Sequence, residues 1–530
     1  MPRRAAEPPV DPVPPHSRES IFETLESIVM AIVLALVFRA FVVEPYVIPT
    51  GSMAPTLLGQ HVTARCPQCG YRFPVGPRSY RQSDSMIAEP VQTNLRIPCP
   101  MCRFAIRYAS VPTSAGDRIL VLKYNYALSA PRRWDVVVFK DPNAPERNFI
   151  KRLAGLSGEQ LWIVDGNVYT RPLSFDGTVR EAAPWRIQRK ADRPEVQRAV
   201  WQPVYHTDFY PLDGGELGAG SGREDSWWMP WRGEGLGGTG KWVVERGPRW
   251  RWVNTHPGLG VGRLTFDFSG LSRVVSQPTY NLIDRNPGSD ENHGNALGEM
   301  RLAATVIPQG PNLELSLELA GRWLGVRGRV EPDGRITIAA GTRGEEGEWP
   351  IRAEGRSHPL RAGRASVVEL WHVDQSVSVW VDGRLVAGPW KYELEEIGET
   401  LEDASYAGRF APGAGLELTG AEATLRSIQL DRDLYYTQAA RNPGRATRSG
   451  PASIHEGYYF CLGDNSPKSD DGRCWLTVDP WVEESLGPEP GFVPRDLMLG
   501  RAFFVYYPSS HRIPNVPLGV PNFGEMRFIR

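Results

Sequence analysis

A mainly β protein of several domains, carried behind one apolar N-terminal helix, is the fold class this sequence predicts. Three observations predict it. One apolar stretch, residues 21–43, lies near the start of the chain. Most of the remaining chain runs as short segments of β-branched and aromatic residues, punctuated by 54 glycines and 47 prolines, the residues of turns. The length, 530 residues, exceeds what a single hydrophobic core fills, so about three domains are expected.

Composition narrows the function classes. Aromatic residues at 10% and charged residues at 23% suit globular structure rather than disorder. Lys plus Arg number 60 against 61 Asp plus Glu, which leaves no electrostatic footprint for nucleic acid.

Residues 1–20 are Pro-rich, contain Arg3 and Arg4, and read as a disordered tail. Residues 21–43 read as a transmembrane helix. The strictly apolar run from Ile28 to Phe38 is shorter than the roughly 20 residues of a full span. Glu23 and Glu26 at one end and Arg39 at the other complete the length by snorkelling. A buried amphipathic helix is the alternative. No small-residue cleavage pattern comes after it, so the stretch is not a cleavable leader. Arg3, Arg4 and Arg18 precede it, which puts that side in the cytoplasm and the remainder on the outer face of the cell membrane.

The next element is a Pro/Gly turn, Ile48-Pro49-Thr50-Gly51-Ser52-Met53-Ala54, within residues 44–61. A serine there is exposed at the end of a membrane segment, and a serine hydroxyl needs a base to become a nucleophile. Residues 116–173 read as strands, among them Arg118–Leu122, Asp135–Phe139 and Asn148–Arg152, followed by an Asp165-Gly166 hairpin. Lys151 comes directly after Phe149 and Ile150. A lysine buried among such neighbours loses its preference for the charged form and can serve as a base.

Residues 62–115 form a Cys-rich insert. Cys66, Cys69, Cys99 and Cys102 make two C-x₂-C knuckles, the usual ligand set for tetrahedral Zn²⁺. Redox disulfides are the alternative. The remaining pair, Cys461 and Cys474, brackets a single loop and is either a disulfide clamp or two free thiols.

Residues 174–450 form a separate β-rich block. Its first part is rich in tryptophan, including Trp227, Trp228, Trp231, Trp242, Trp250 and Trp252. Its second part alternates strictly, as in Leu313–Leu319, Val367–Val373 and Ser376–Val386, and predicts an antiparallel sandwich. The Val379-Trp380-Val381-Asp382-Gly383 hairpin loosely resembles concanavalin-like jelly rolls. The tryptophans are either core or a platform for an unknown ligand, and packing is the favoured reading. No carboxylate pair is placed for glycoside hydrolysis.

Taken jointly, five segments resemble the boxes of type I signal peptidases, in the family's order. They are Glu44–Leu57 with the serine turn, Gly116–Lys123, Arg133–Phe139 with Phe149–Gly158, Gly463-Asp464-Asn465 with Ser469, Asp471, Arg473 and Trp475, and Val493-Pro494 with Leu499–Ala502. The resemblance covers about 180 residues in pieces, split by the two inserts, with residues 451–530 returning to the catalytic pattern. It implies an antiparallel β signal-peptidase catalytic domain carrying an inserted zinc-ribbon-like module and a variable β-domain, here an enlarged β-sandwich. It implies a membrane-bound serine endopeptidase that cleaves signal peptides from secretory preproteins after Ala-X-Ala sites.

Carried over by position, Ser52 is the nucleophile and Lys151 the general base, with no cofactor for catalysis. Thr50 supplies an oxyanion donor beside the Ser52 N–H. Ser469 orients the lysine, and Asp471 and Arg473 brace its loop. An extended peptide adds to the edges formed by Glu44, Pro45, Tyr46, Val47 and Ile48 and by Phe149 and Ile150, with Ile48, Met53 and Phe149 lining small pockets. The chain departs from the family pattern at Ser466-Pro467-Lys468, at Gly472 and at Trp134, where the family has a glycine. Two other readings share the sequence: a membrane-tethered sandwich binding protein on a degenerate peptidase frame, and a processing peptidase for one dedicated substrate.

Overall fold

The computed structural model describes residues 18–77, 91–173, 183–211, 230–237, 240–245, 249–254, 260–270, 279–282, 297–342, 348–393, 411–437, 444–447, 450–509 and 522–530. The tail expected over residues 1–20 lies almost wholly outside them, as do Trp227 and Trp228.

The N-terminal helix runs Arg18–Phe41, and its apolar part is longer than the bare sequence run suggested. The helix passes through Arg39 without a break, so Phe22–Phe41 gives 20 residues, enough to cross a bilayer. Its apolar side chains face outward, with Phe22, Leu34 and Phe41 between 67% and 70% exposed. That rules out the buried amphipathic helix and fits a membrane-anchored protein.

The helix feeds directly into the edge strand Val43–Val47 of an antiparallel sheet. Across that sheet the order is Val43–Val47, Arg118–Leu122, Met498–Tyr507, Val136–Asp141, Ala144–Gly155, Tyr458–Leu462 and Val493–Pro494. The strands of the serine turn, the lysine and the last box are therefore assembled from chain segments more than 300 residues apart. Alternation explains the burial: Ile119 and Val121 face the core with Ile48, Met53, Leu57, Val136, Val138 and Ala502, while the residues between them face out. A second, smaller sheet holds the hairpin Glu159–Val164/Asn167–Pro172, turning at Asp165 and Gly166 with both φ positive, as an Asp-Gly hairpin turn requires.

The Cys-rich insert is two hairpins, Val62–Arg65/Arg72–Val75 and Val91–Pro98/Ala105–Pro112. The large block is a sandwich of two antiparallel sheets of eight and seven strands. Trp231, Trp250, Trp252, Leu315, Leu317, Leu370, Val379 and Leu416 are buried together between them. Of the tryptophans singled out from the sequence, Trp231, Trp250 and Trp252 therefore serve packing, with Trp242 packed against them. The predicted Asp382-Gly383 turn is present, again with both φ positive.

A buried ionic network lies within residues 174–450, and Asn167 of the preceding hairpin joins it by donating to Glu299 at 2.9 Å. The Lys190 ammonium lies 2.6 Å from Asp374 and 2.9 Å from Asp433. Burial works against its charge, but the two carboxylates outweigh it and hold it protonated. Glu299, Asp374 and Asp433 cluster closely enough to suggest a cation site, and the lysine already fills that role.

Candidate active site

The serine sits on one turn of 3₁₀ helix, Gly51–Met53, closed by Ala54 N–H donating to Gly51 O at 3.1 Å. Buried Asp117 fixes both ends of this turn. Its backbone carbonyl accepts from Ile48 N at 2.9 Å and its carboxylate from Leu58 N at 3.0 Å. The glycine before it is required, because a Cβ at Gly116 would stand 1.8 Å from Ile48 O.

Lys151 arrives on the strand Ala144–Gly155, in register with Val137. Its Nζ lies 3.0 Å from Ser52 Oγ, and the side chain is only 3% exposed. Its surroundings are apolar on one side, with the Phe149 ring 4.8 Å from Nζ and Phe149 packed edge-on to Phe139 and at a tilt against Trp475. Burial lowers the Lys151 pKa from its ordinary value, while Asp471, Asp470, Cys461 and Asp141 act to raise it. The net direction is down, because none of these acids makes a direct ion pair with it among the described contacts.

The last box supports the pair from below. Asn465 N–H donates to Ser52 O at 2.9 Å and its side-chain amide to Gly51 O at 2.9 Å. Arg152, next to the lysine, makes a buried two-pronged pair with Asp464 at 2.8 and 2.6 Å and also donates to Trp134 O and Arg530 O. Asp471 and Arg473 form a second such pair at 2.8 Å, both fully buried, with Asp471 also accepting from Gly463 N. Burial alone would raise Asp471, but the Arg473 guanidinium holds it below the usual carboxylate range.

Several expected roles meet a different geometry. Ser469 Oγ is buried and acts on the Asp471 carboxylate rather than on the lysine amine, whose hydrogen-bond partner is Ser52 Oγ. It faces Gly463, whose missing Cβ would stand 2.1 Å from Ser469 Oγ and 2.6 Å from Ser52 O. Thr50 precedes the 3₁₀ turn in extended conformation, exposed, with no capping bond from its side chain. Ile48 and Met53 are closed into the sheet core. Glu44 is engaged by Tyr46 at 2.8 Å and Lys123 at 3.2 Å. Cys461 and Cys474 are free thiols, so the loop they bracket is clamped by Asp471–Arg473 instead.

Two strand edges remain open near the serine. Val43–Val47 is the edge strand, with Pro45 and Val47 exposed. Along Ala144–Gly155, the strand Tyr458–Leu462 pairs only from Arg152 onward, which leaves the outer side of Asn148–Ile150 without a strand partner among the described residues.

The departures from the family pattern have local explanations. Trp134 has φ +72°, a conformation that suits glycine. Gly472 has no room for a side chain, since a Cβ would lie 2.5 Å from Gly491 O. Ser466 accepts from Arg473 Nη1 at 2.7 Å and from Thr437 N at 2.9 Å, which joins the altered residues to the buried pair.

In the insert, the two knuckles are built alike. Cys66 N–H donates to Tyr71 O and Cys99 N–H to Phe104 O, both at 2.8 Å, and each turn ends on a positive φ, at Gly70 and Arg103. Their thiols converge, with Cys66–Cys102 and Cys69–Cys99 sulfurs 3.6 and 3.5 Å apart. The four cysteines lie close enough to hold one metal ion.

Sequence reasoning missed Asp117 as the anchor of the serine turn, the Arg152–Asp464 pair, and Asn281, whose side chain hydrogen-bonds that of Asn465. The first two carried a signal, since Gly116-Asp117 and Gly463-Asp464-Asn465 stood in the boxes. Asn281 carried none.

A turn serine within 3.0 Å of a buried lysine amine, on an antiparallel β frame, is the geometry the site presents. The family described as signal peptidase, peptidase S26, matches residues 21–70, 104–200 and 397–507. The chain is related to that family through those three stretches. It is 24% identical over 163 residues to signal peptidase I of Rickettsia prowazekii (strain Madrid E), covering 31% of this chain and 48% of the relative. To signal peptidase I of Rickettsia bellii (strain OSU 85-389) it is 24% identical over 154 residues, covering 29% and 41%. The chain thus spans about half the length of the curated relatives it matches, or less. Among solved structures, a carbohydrate-binding module from Bacillus subtilis aligns at 13% identity and a TM-score of 0.24, over 38% of this chain and 96% of that one.

Proposed function

We propose that this protein is a membrane-anchored serine endopeptidase that removes N-terminal signal peptides from secretory preproteins, with Ser52 as nucleophile and Lys151 as general base. The carrying observation is the 3.0 Å approach of a buried lysine amine to a turn serine. In the neutral form the amine accepts the Ser52 proton as Oγ attacks the scissile carbonyl carbon. The resulting ammonium gives that proton to the leaving amine as the peptide C–N bond breaks. Water, deprotonated by the same amine, then attacks the acyl carbon; the C–Oγ bond breaks, the ammonium returns its proton to Ser52 Oγ, and the new carboxyl terminus leaves.

The oxyanion is held by the Ser52 N–H and by the Thr50 hydroxyl after rotation toward it. Losing one such donor costs roughly 10²–10³ in rate. Ser469 has a buried hydroxyl beside the Asp471 carboxylate, and it orients the lysine when substrate seats. The substrate lies as an extended strand between the open edges at Val43–Val47 and Asn148–Ile150 and is cut after an Ala-X-Ala site. The catalytic frame lies on the extracytoplasmic side of the cell membrane. Thiol separations near 3.5 Å suit a zinc tetrahedron, whose edge is about 3.8 Å for Zn–S bonds of about 2.3 Å, and not disulfides at about 2.05 Å.

The test is to incubate the detergent-solubilised protein with a preprotein carrying an Ala-X-Ala site and sequence the mature N-terminus. A single cut after that site supports the reading. Cleavage elsewhere, or none across several preproteins, removes it.

A further inference from the structure

The inserted sandwich sends one short segment back to the serine turn. The 3₁₀ turn Thr279–Asn281 lies in sequence between the sandwich strands Val261–Phe266 and Met300–Pro308, yet Tyr280 and Asn281 are buried against the catalytic frame. The Asn281 and Asn465 side chains hydrogen-bond reciprocally, Asn281 Nδ2 to Asn465 Oδ1 at 2.7 Å and Asn465 Nδ2 to Asn281 Oδ1 at 2.9 Å. The same Asn465 Nδ2 donates to Gly51 O, and the Asn465 backbone N–H donates to Ser52 O.

This arrangement fixes which way the Asn465 amide points. Gly51 O can only accept, so Asn465 must present its nitrogen there. Its oxygen then needs a donor in a site with no access to water, and Asn281 Nδ2 is that donor. Without Asn281, a fully buried amide keeps one unpaired acceptor and one unpaired donor proton, and its two orientations become closer in energy.

The neighbouring residue locks the segment in place. The Tyr280 ring fills a slot that exists only because two residues lack side chains: a Cβ at Gly51 would stand 2.0 Å from the ring, and one at Gly76 would stand 2.5 Å from it. Tyr280 OH donates to Gln60 O, and Tyr280 O accepts from Gly76 N at 2.7 Å. Leu282 continues into the apolar core of the four-cysteine module.

We infer that Asn281 is a positioning residue for the serine turn, acting through Asn465, so that the catalytic site of this chain is incomplete without its inserted sandwich. This rests on Ser52 being the nucleophile, and the experiment separates the two claims.

The experiment compares the full chain with Asn281→Ala, Asn465→Ala and the double variant, reading kcat and KM on a preprotein and amide hydrogen exchange over residues 48–54. Expected is a fall in kcat of about 10- to 100-fold for Asn281→Ala, with KM within about twofold. The double variant should match Asn465→Ala alone, since both act on one contact. Exchange at Ala54, whose N–H donates to Gly51 O, should quicken while the sandwich strands keep their protection. Additive losses, or unchanged exchange at Ala54, overturn the inference. If wild type cleaves no preprotein, the functional reading fails, and the exchange result alone still decides the coupling. If Asn281→Ala does not fold, Asn281→Asp keeps the shape and one hydrogen bond and is read in the same way.

Discussion

Lys151 Nζ stands 3.0 Å from Ser52 Oγ although 99 residues of chain, including the whole four-cysteine insert, separate them. Two devices produce that approach. Asp117 pins the serine turn at both ends, and strand pairing of Val137 with Lys151 sets the lysine at the right height.

Cleavage should rise with pH through the lowered Lys151 pKa, because only the neutral amine accepts the serine proton. Stability depends on the same group. The unfolded lysine holds its proton up to about pH 10.4 while the folded one releases it earlier, so the folding penalty is full at low pH and gone above about 10.4. Lys151→Met should therefore raise Tm most at low pH, with the gain shrinking as pH rises. A gain independent of pH would contradict a depressed pKa.

Breaking the Asp471–Arg473 pair should be costly. A surface ion pair contributes under about 1 kcal/mol, but here both partners are buried, and removing one leaves an unpaired charge costing about 3–5 kcal/mol. Denaturant unfolding of Asp471→Ala and Arg473→Ala measures it. Because the folded Asp471 pKa is lowered, its contribution is complete above the unfolded carboxyl pKa near 3.9 and lost as pH falls below it. A loss below about 1 kcal/mol at pH 7 would mean the pair is solvated.

One zinc ion per chain is expected, lost in Cys99→Ser and on prolonged chelation. Because Leu282 lies in the core of the four-cysteine module, metal loss should speed proteolysis near Tyr280 as well as within the module. Metal analysis with limited proteolysis reads both. A metal-free protein with four reactive thiols and unaltered proteolysis would remove this account.

Trp134 should show an inverted order of substitutions. Trp134→Ala loses the buried ring and keeps the strain of φ +72°, whereas Trp134→Gly loses the ring and relieves about 1 kcal/mol of strain. Both should destabilise by a few kcal/mol, with glycine the milder. Alanine milder than glycine would show that the backbone there carries no strain.

Legibility in the sequence tracked the range of the interaction. The sandwich was readable because alternation is local: Ser376–Val381 and Arg384–Lys391 pair around Asp382-Gly383 as their pattern says. Ser52 and Lys151 could be singled out because each sits in a segment whose neighbours constrain it. The helix expected over residues 21–43 was readable because an apolar run is local, and it continues through Arg39 because a helix carries a single arginine near its terminus without breaking. Pockets at Ile48 and Met53 did not form as expected, because strand register turns both inward to the core. Nothing near Asn281 announces its partner, since it meets Asn465 across 184 residues through a contact that only the assembled inserts create.

The most direct test of the Ser52–Lys151 unit is the cleavage rate of one preprotein by wild type, Ser52→Ala, Lys151→Ala and the double variant. Residues that act as one unit are not additive. The account predicts that each single variant loses more than about 10³-fold in kcat and that the double loses no more than either. Cleavage that survives in Ser52→Ala, or losses that multiply in the double variant, would contradict it.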